Sequence, residues 1–190
     1  MPDHLTDYAS RSLVRHLETA VSGLNDAYAL DTDFDWDKKP DPSDPHDKTV
    51  ERQLPYAAVE ITFDHDAPFS VGNILYEREV MAHVWVAGDS HANMMQMTST
   101  MRQSLISSVN PITSGVGVVL YNFAVASGAF FANAGTLQLE LGQSQYFGAA
   151  TQAEEGNKKY RSVTPITLSA FKDVTAVLLE NKGRINLTDS

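Results

Sequence analysis

The sequence predicts an α+β fold: a mixed or antiparallel β-sheet packed against two main helices, about residues 5–30 and 91–110, with a long acidic loop between the first helix and the sheet. Three observations predict it. From Tyr76 to Val86 the side chains alternate, with Tyr76, Val80, Ala82, Val84 and Val86 on one face and Glu77, Glu79, Met81, His83 and Trp85 on the other. That period of two belongs to a strand buried on one side and wet or subunit-facing on the other. Met94, Met97, Met101, Leu105 and Val109 then recur at three- and four-residue steps, the spacing of one apolar helix face. Nearer the amino terminus Leu13, Leu17, Val21, Leu24 and Tyr28 keep the same spacing.

Taken in order, the first stripe predicts a helix over 5–30 that packs on the sheet, with Gly23 weakening its middle without ending it. The stretch 31–53 is an acidic, proline-containing loop: seven aspartates and Pro40, Pro42 and Pro45 stand between Asp31 and Asp47, too polar to bury themselves. Leu54–Phe63 reads as a strand, with Ala57, Val59, Ile61 and Phe63 opposite Tyr56, Ala58, Glu60 and Thr62. Pro55 suits its first residue or a sheet edge. Asp64–Asn73 reads as a loop into the central strand, and Gly88 ends that strand before Asp89 or Ser90 caps the second helix. Asn110-Pro111 stops the helix, because a residue before proline is pushed out of the α region. Val116–Val125, the alternation Leu137, Leu139, Leu141, and Tyr160–Phe171 read as strands, the last placed at an edge by Pro165. Residues 126–135 and 149–159 are further loops, and 1–190 reads as one domain.

A net charge of −10 and a pI near 4.9 argue against a protein that grips nucleic acid or an anionic membrane. They do not exclude DNA that passes without being held. With no cysteine there is no thiolate or disulfide chemistry. The start Met1-Pro2-Asp3-His4 has neither the basic region nor the apolar core of a signal peptide, and no apolar stretch reaches the length of a membrane span.

Asp31, Asp33, Asp35 and Asp37 alternate with Thr32, Phe34 and Trp36, as if in a calcium loop. That loop needs glycine at its sixth position and glutamate at its twelfth, where Trp36 and Pro42 stand, so no metal is expected. His65, between Asp64 and Asp66, has no partner histidine at ligand spacing. Gly88-Asp89-Ser90 follows a strand and opens a helix, the setting of the nucleophile in GDSL-type hydrolases. A serine nucleophile needs an imidazole held by an acid. In that family the histidine lies near the carboxyl terminus, three residues after an aspartate, and here no histidine follows His91. The expectation is a helix cap, no catalytic residue, no cofactor and no enzyme. Phe34 and Trp36 are out of place in a solvated loop and suit packing onto a neighbour, whereas Phe130 and Phe131, among small residues, suit either a buried turn or a loop that docks on another subunit. Both pairs are the candidate anchors for subunit contacts.

The order of elements resembles the tail-terminator and tail-completion (neck) proteins of long-tailed bacteriophages and related archaeal tailed viruses. An amino-terminal helix leads through a variable loop to a strand opened by Leu54-Pro55-Tyr56-Ala57-Ala58-Val59; the long strand Tyr76–Val86, ending in Val84-Trp85, then runs into the helix Asn93–Val109. The resemblance covers roughly residues 5–125, and the long acidic loop and the region after Val125 depart from it. It implies a virion protein of the tail-neck region, assembled in the host cytoplasm: a ring, commonly a hexamer, that caps the tail tube, stops its polymerisation and joins it to the head-side connector or stopper. DNA would pass through the lumen without sequence-specific contact. Another neck or tail-tube component is the alternative the resemblance leaves open.

Overall fold

The computed structural model describes residues 5–30, 38–68, 75–109, 118–121, 136–148 and 160–173. Its elements run α1 (Leu5–Ala20), β1 (Asp26–Ala29), β2 (Lys38–Asp41), β3 (Asp44–Glu51), β4 (Tyr56–Pro68), β5 (Leu75–Gly88), α2 (His91–Val109), β6 (Val118–Val119), β7 (Thr136–Leu141), β8 (Gln145–Phe147) and β9 (Tyr160–Asp173). The fold is α+β. Seven strands form one mixed sheet in the order β1-β4-β5-β9-β7-β6, with β8 also on β9; β1–β4 is the parallel pair, and β2–β3 form a separate hairpin.

Both helices lie on one face of this sheet. Leu13 and Leu17 of α1 and Met101 and Leu105 of α2 pack with Val59, Val80, Ala82, Val84, Ile166 and Leu168 in one core cluster. Each fully buried side chain of this size contributes about 1.5–3 kcal/mol through removal of apolar surface from water, so the spacing of these residues dictates which helix faces turn inward. The buried hydroxyls of Thr98 and Ser162 are paired: Thr98 Oγ1 donates to the Met94 carbonyl at 2.7 Å and lies 2.6 Å from Ser162 Oγ. At the start of α1, the Thr6 hydroxyl donates to Asp64, and Arg78 holds Asp66 through Nε and, at 2.7 Å, Nη2.

Several expectations are corrected. The first helix ends at Ala20, not Leu30, because Gly23 takes φ +93°, where a left-handed turn reverses the chain. Leu24 and Tyr28 continue the apolar spacing only by coincidence; Asp26–Ala29 instead pairs with Tyr56–Val59. The acidic stretch is not all loop, since Lys38–Asp41 pairs with Asp44–Glu51. Asp31, Asp33, Phe34, Asp35, Trp36 and Asp37 lie outside the described residues, as do Phe130, Phe131 and the segments 126–135 and 149–159. Asp64 to Pro68 belong to β4, paired through to Tyr76. Of Val116–Val125, Val118–Val119 is strand.

Pro165 does not mark an edge: β9 lies between β5 and β7. Its carbonyl accepts the Gly142 N–H at 2.8 Å, so its missing N–H falls at the break where β7 passes into β8. There Gly142–Ser144 spans the two residues Thr164 and Pro165, a bulge that needs no donor from the proline. Arg102 of α2 donates to the Gly142 carbonyl at 2.7 Å and so fastens the bulge to the helix.

Between the helices His16 Nε2 lies 3.2 Å from Ser104 Oγ, and burial holds the imidazole pKa below its ordinary 6.5. The folded state then binds fewer protons than the unfolded chain, so stability falls as pH drops below 6.5 towards the lowered value. A melting-temperature profile from pH 7 to 5 should show this decline, and His16→Gln should flatten it. Profiles of equal slope would show that His16 is not the group responsible.

Candidate functional site

With both helices on one side, the other face of the sheet has no described helix over it. The alternation read from the sequence holds on β5: Val80, Ala82, Val84 and Val86 are buried, whereas Met81 is 43% exposed and His83 and Trp85 are half-buried. On β4 it holds only to Ile61. The register shifts between Ile61 and Phe63, and Thr62 Oγ1 donates to the Met81 carbonyl at 3.1 Å across the irregularity. One extra residue reverses every side chain beyond it. Phe63, expected in the core, therefore stands opposite Met81 on the open face and is 54% exposed.

The open face carries a connected set of rings. Trp85 stacks on Phe147 of β8 with centroids 6.1 Å apart and planes at 28°, and His83 meets Trp85 edge-on at 6.4 Å. Trp85 Nε1 donates to Glu60 Oε2 at 2.9 Å, and His83 Nδ1 lies 3.7 Å from the same oxygen. Farther along β4, Phe63 and His65 have centroids 5.4 Å apart. A shallow groove of about 140 Å³ runs between Met81, His83, Glu140 and Pro165. Phe147 is 45% exposed, so Phe63, Met81, Trp85 and Phe147 present apolar area interrupted by the Glu60, Glu79 and Glu140 carboxylates. Aromatic and methionine side chains are the residues enriched in contact surfaces.

One corner of this face is roofed. Tyr28 and Tyr56 lie on it with centroids 5.9 Å apart, and the Arg52 guanidinium sits 3.3 Å from the Tyr28 centroid. Arg52 Nη1 binds Asp26 Oδ2 at 2.6 Å, and Lys39 Nζ reaches the same oxygen at 3.4 Å. The β2–β3 hairpin is thus tied over the β1–β4 end, and the exposed rings start where this cover stops. Nearby, Glu18 has its pKa raised by burial and then by the Asp26 charge, partly offset by Arg15.

No protein-family model matches this chain, and no curated protein matches it in sequence.

Ser90 sits where the sequence placed it, at the start of α2. Its Oγ accepts the Asn93 N–H at 3.2 Å and its carbonyl accepts the Met94 N–H at 2.9 Å, which is N-cap geometry. The ring of His91 packs edge-on against Tyr160 at 6.1 Å. Ser90→Ala should cost about 0.5–2 kcal/mol of stability through the lost cap, read by urea denaturation. A fluorophosphonate that labels the wild-type chain at Ser90 would sink the capping account. Among the described residues no three His, Asp or Glu side chains gather into a metal site.

The candidate anchors named from the sequence, Phe34, Trp36, Phe130 and Phe131, lie outside the described residues. The side chains that form the open-face surface were visible only as exceptions: Met81 and Trp85 are apolar residues on the strand face otherwise occupied by Glu77, Glu79 and His83. Phe147 had no local signal, because β8 has three residues and all are exposed.

Proposed function

We propose that this chain is a subunit of a ring that terminates the tail tube of a tailed virus, stopping tube growth and joining the tube to the head-side connector. The observation that carries this reading is the sheet with one helix-covered face and one face bearing exposed Phe63, Met81 and Phe147 around the half-buried Trp85. An exposed apolar surface of this kind suits a subunit that works by assembly. The element order helix, long strand pair, capped helix and further strands is in keeping with the resemblance found in the sequence. Its partners would be copies of itself, the tail-tube protein and the connector or stopper, in the neck of the virion. A net charge of −10 per copy supports passage of DNA through the lumen, since carboxylates repel phosphates and leave the duplex unbound.

A second reading, another neck or tail-tube component, shares the same surface argument. Electron microscopy of the purified protein with its tube protein separates them. Closed rings that shorten and cap growing tubes are the expected result; open filaments of the chain alone would favour the tube component. A chain that stays monomeric and leaves tube length unchanged would overturn both.

A further inference from the structure

The open sheet face and the outer surface of α2 point to opposite sides of the subunit, and their chemistries match. The residues of α2 that turn away from Met94, Met97, Met101 and Leu105 are Ala92, Met95, Gln96, Ser99, Gln103 and Ile106. None is charged, and Met95 and Ile106 are 44% and 49% exposed. The single charged residue of this helix, Arg102, is turned to the β7–β8 bulge, where it donates to Gly142 and Ser144. The outer surface of α1 is different, carrying Arg11, Arg15 and Glu18.

We propose that copies of this chain associate head to tail, with the outer face of α2 on one copy lying against the open sheet face of the next. This deepens the ring reading and rests on it for self-association. Electrostatics selects the pairing. Copies that each carry −10 repel, so a stable contact must avoid setting like charges together. Two open sheet faces brought together would oppose Glu60, Glu79 and Glu140 with themselves. Two α2 faces brought together would leave those carboxylates and the rings between them uncovered. The helix on the sheet face instead sets the amide donors of Gln96 and Gln103 and the Ser99 hydroxyl against carboxylate acceptors, and Met95 and Ile106 against Phe63, Met81 and Phe147. The helix fits along the strands: 19 residues of helix span about 28 Å, and the 14-residue strands β5 and β9 run about 46 Å at about 3.3 Å per residue. Because the two surfaces lie on opposite sides, each contact leaves a free surface of the other kind. The assembly therefore propagates and closes into a ring when its rotation divides a full turn.

The absence of cysteine makes the test direct. Single variants Ser99→Cys and Met81→Cys, both at surface positions, are mixed and oxidised, with native mass spectrometry of the unoxidised protein alongside. The expected result is a cross-linked dimer from the mixture and little from either variant alone. Ser99→Cys linking to itself would overturn the head-to-tail contact, as would an oligomer that gives no mixed cross-link; in both cases the ring reading survives. A monomer at every concentration would overturn both. As an independent check, Gln103→Glu should weaken self-association at least tenfold at low salt, Gln103→Lys should not, and Glu140→Lys should restore the Gln103→Glu variant. Equal effects of Glu and Lys in proteins with unchanged circular dichroism would also overturn the pairing.

Discussion

Gly88→Val is expected to unfold this protein at a temperature well below that of the natural chain. A Cβ at Gly88 would lie 2.7 Å from the Met94 backbone nitrogen and 2.9 Å from its Cα. These are main-chain atoms of α2 held by the cap at Ser90, so no rotamer change relieves the clash. The helix must move away from β5, and Met97 and Met101 then lose their packing in the core cluster with Val84 and Val86. Overpacking of this kind costs about 1–3 kcal/mol, and in a domain of this size each kcal/mol lowers the melting temperature by about 2–4 °C. Gly88→Ala should fall within that range and Gly88→Val at or beyond its upper end, because the extra methyl groups point into the same backbone. Thermal melts followed by circular dichroism are sufficient. A Gly88→Val melting temperature within a degree of the natural chain would mean that α2 does not depend on close approach to β5. Since α2 also presents the proposed contact surface, the same variant should assemble less well even where it folds.

Asp26→Ala is expected to have an effect at least as large, for an electrostatic reason. The Asp26 carboxylate is 18% exposed and binds Arg52, whose side chain is 8% exposed, at 2.6 Å; Lys39 reaches it at 3.4 Å. Removing the carboxylate leaves a buried guanidinium without its anion, and breaking one partner of such a pair costs about 3–5 kcal/mol. Contact between Arg52 and the Tyr28 ring offsets part of this, on the order of 0.5–2 kcal/mol. The loss should be localised. Hydrogen exchange should rise most in β2 and β3, which the carboxylate ties to the main sheet, and least in β5 and β9. Asp26→Ala combined with Arg52→Met should be milder than Asp26→Ala alone, because the second change removes the stranded charge. If the double variant is the less stable of the two, the cost comes from lost packing and not from the unpaired cation.

These two predictions bear on different parts of the proposed contact. Gly88 sets the height of α2 above the sheet on the covered side. Asp26 holds the hairpin that roofs Tyr28 and Tyr56 on the open side, and so sets where exposed rings begin. Uncovering that corner would add apolar area to the open face, so Asp26→Ala should promote disordered aggregation along with any loss of ring assembly. Light scattering during the same melts distinguishes aggregation from dissociation.

What the sequence determined by itself is what a few neighbouring residues can encode. The alternation from Tyr76 to Val86 set both faces of β5, and the spacing of Met94, Met97, Met101 and Leu105 set the inward side of α2. The step Gly88-Asp89-Ser90 set the junction between them. Leu13, Leu17 and Val21 likewise set α1, with the residues beyond Gly23 mistaken for more of the same helix. Tertiary structure alone decided the features that depend on partners far along the chain. Tyr28 became a strand residue because Ala58 stands beside it, and Pro165 entered an interior strand because Gly142 offers its carbonyl an N–H where no ladder bond from the proline is required. Phe63 reached the open face through one irregular residue opposite Met81, and Phe147 joined Trp85 from a strand too short to announce itself. Periodicity is a local property of the chain, whereas register and strand order are fixed by which distant backbone groups find each other, so the surface proposed for assembly emerges only once the sheet is formed.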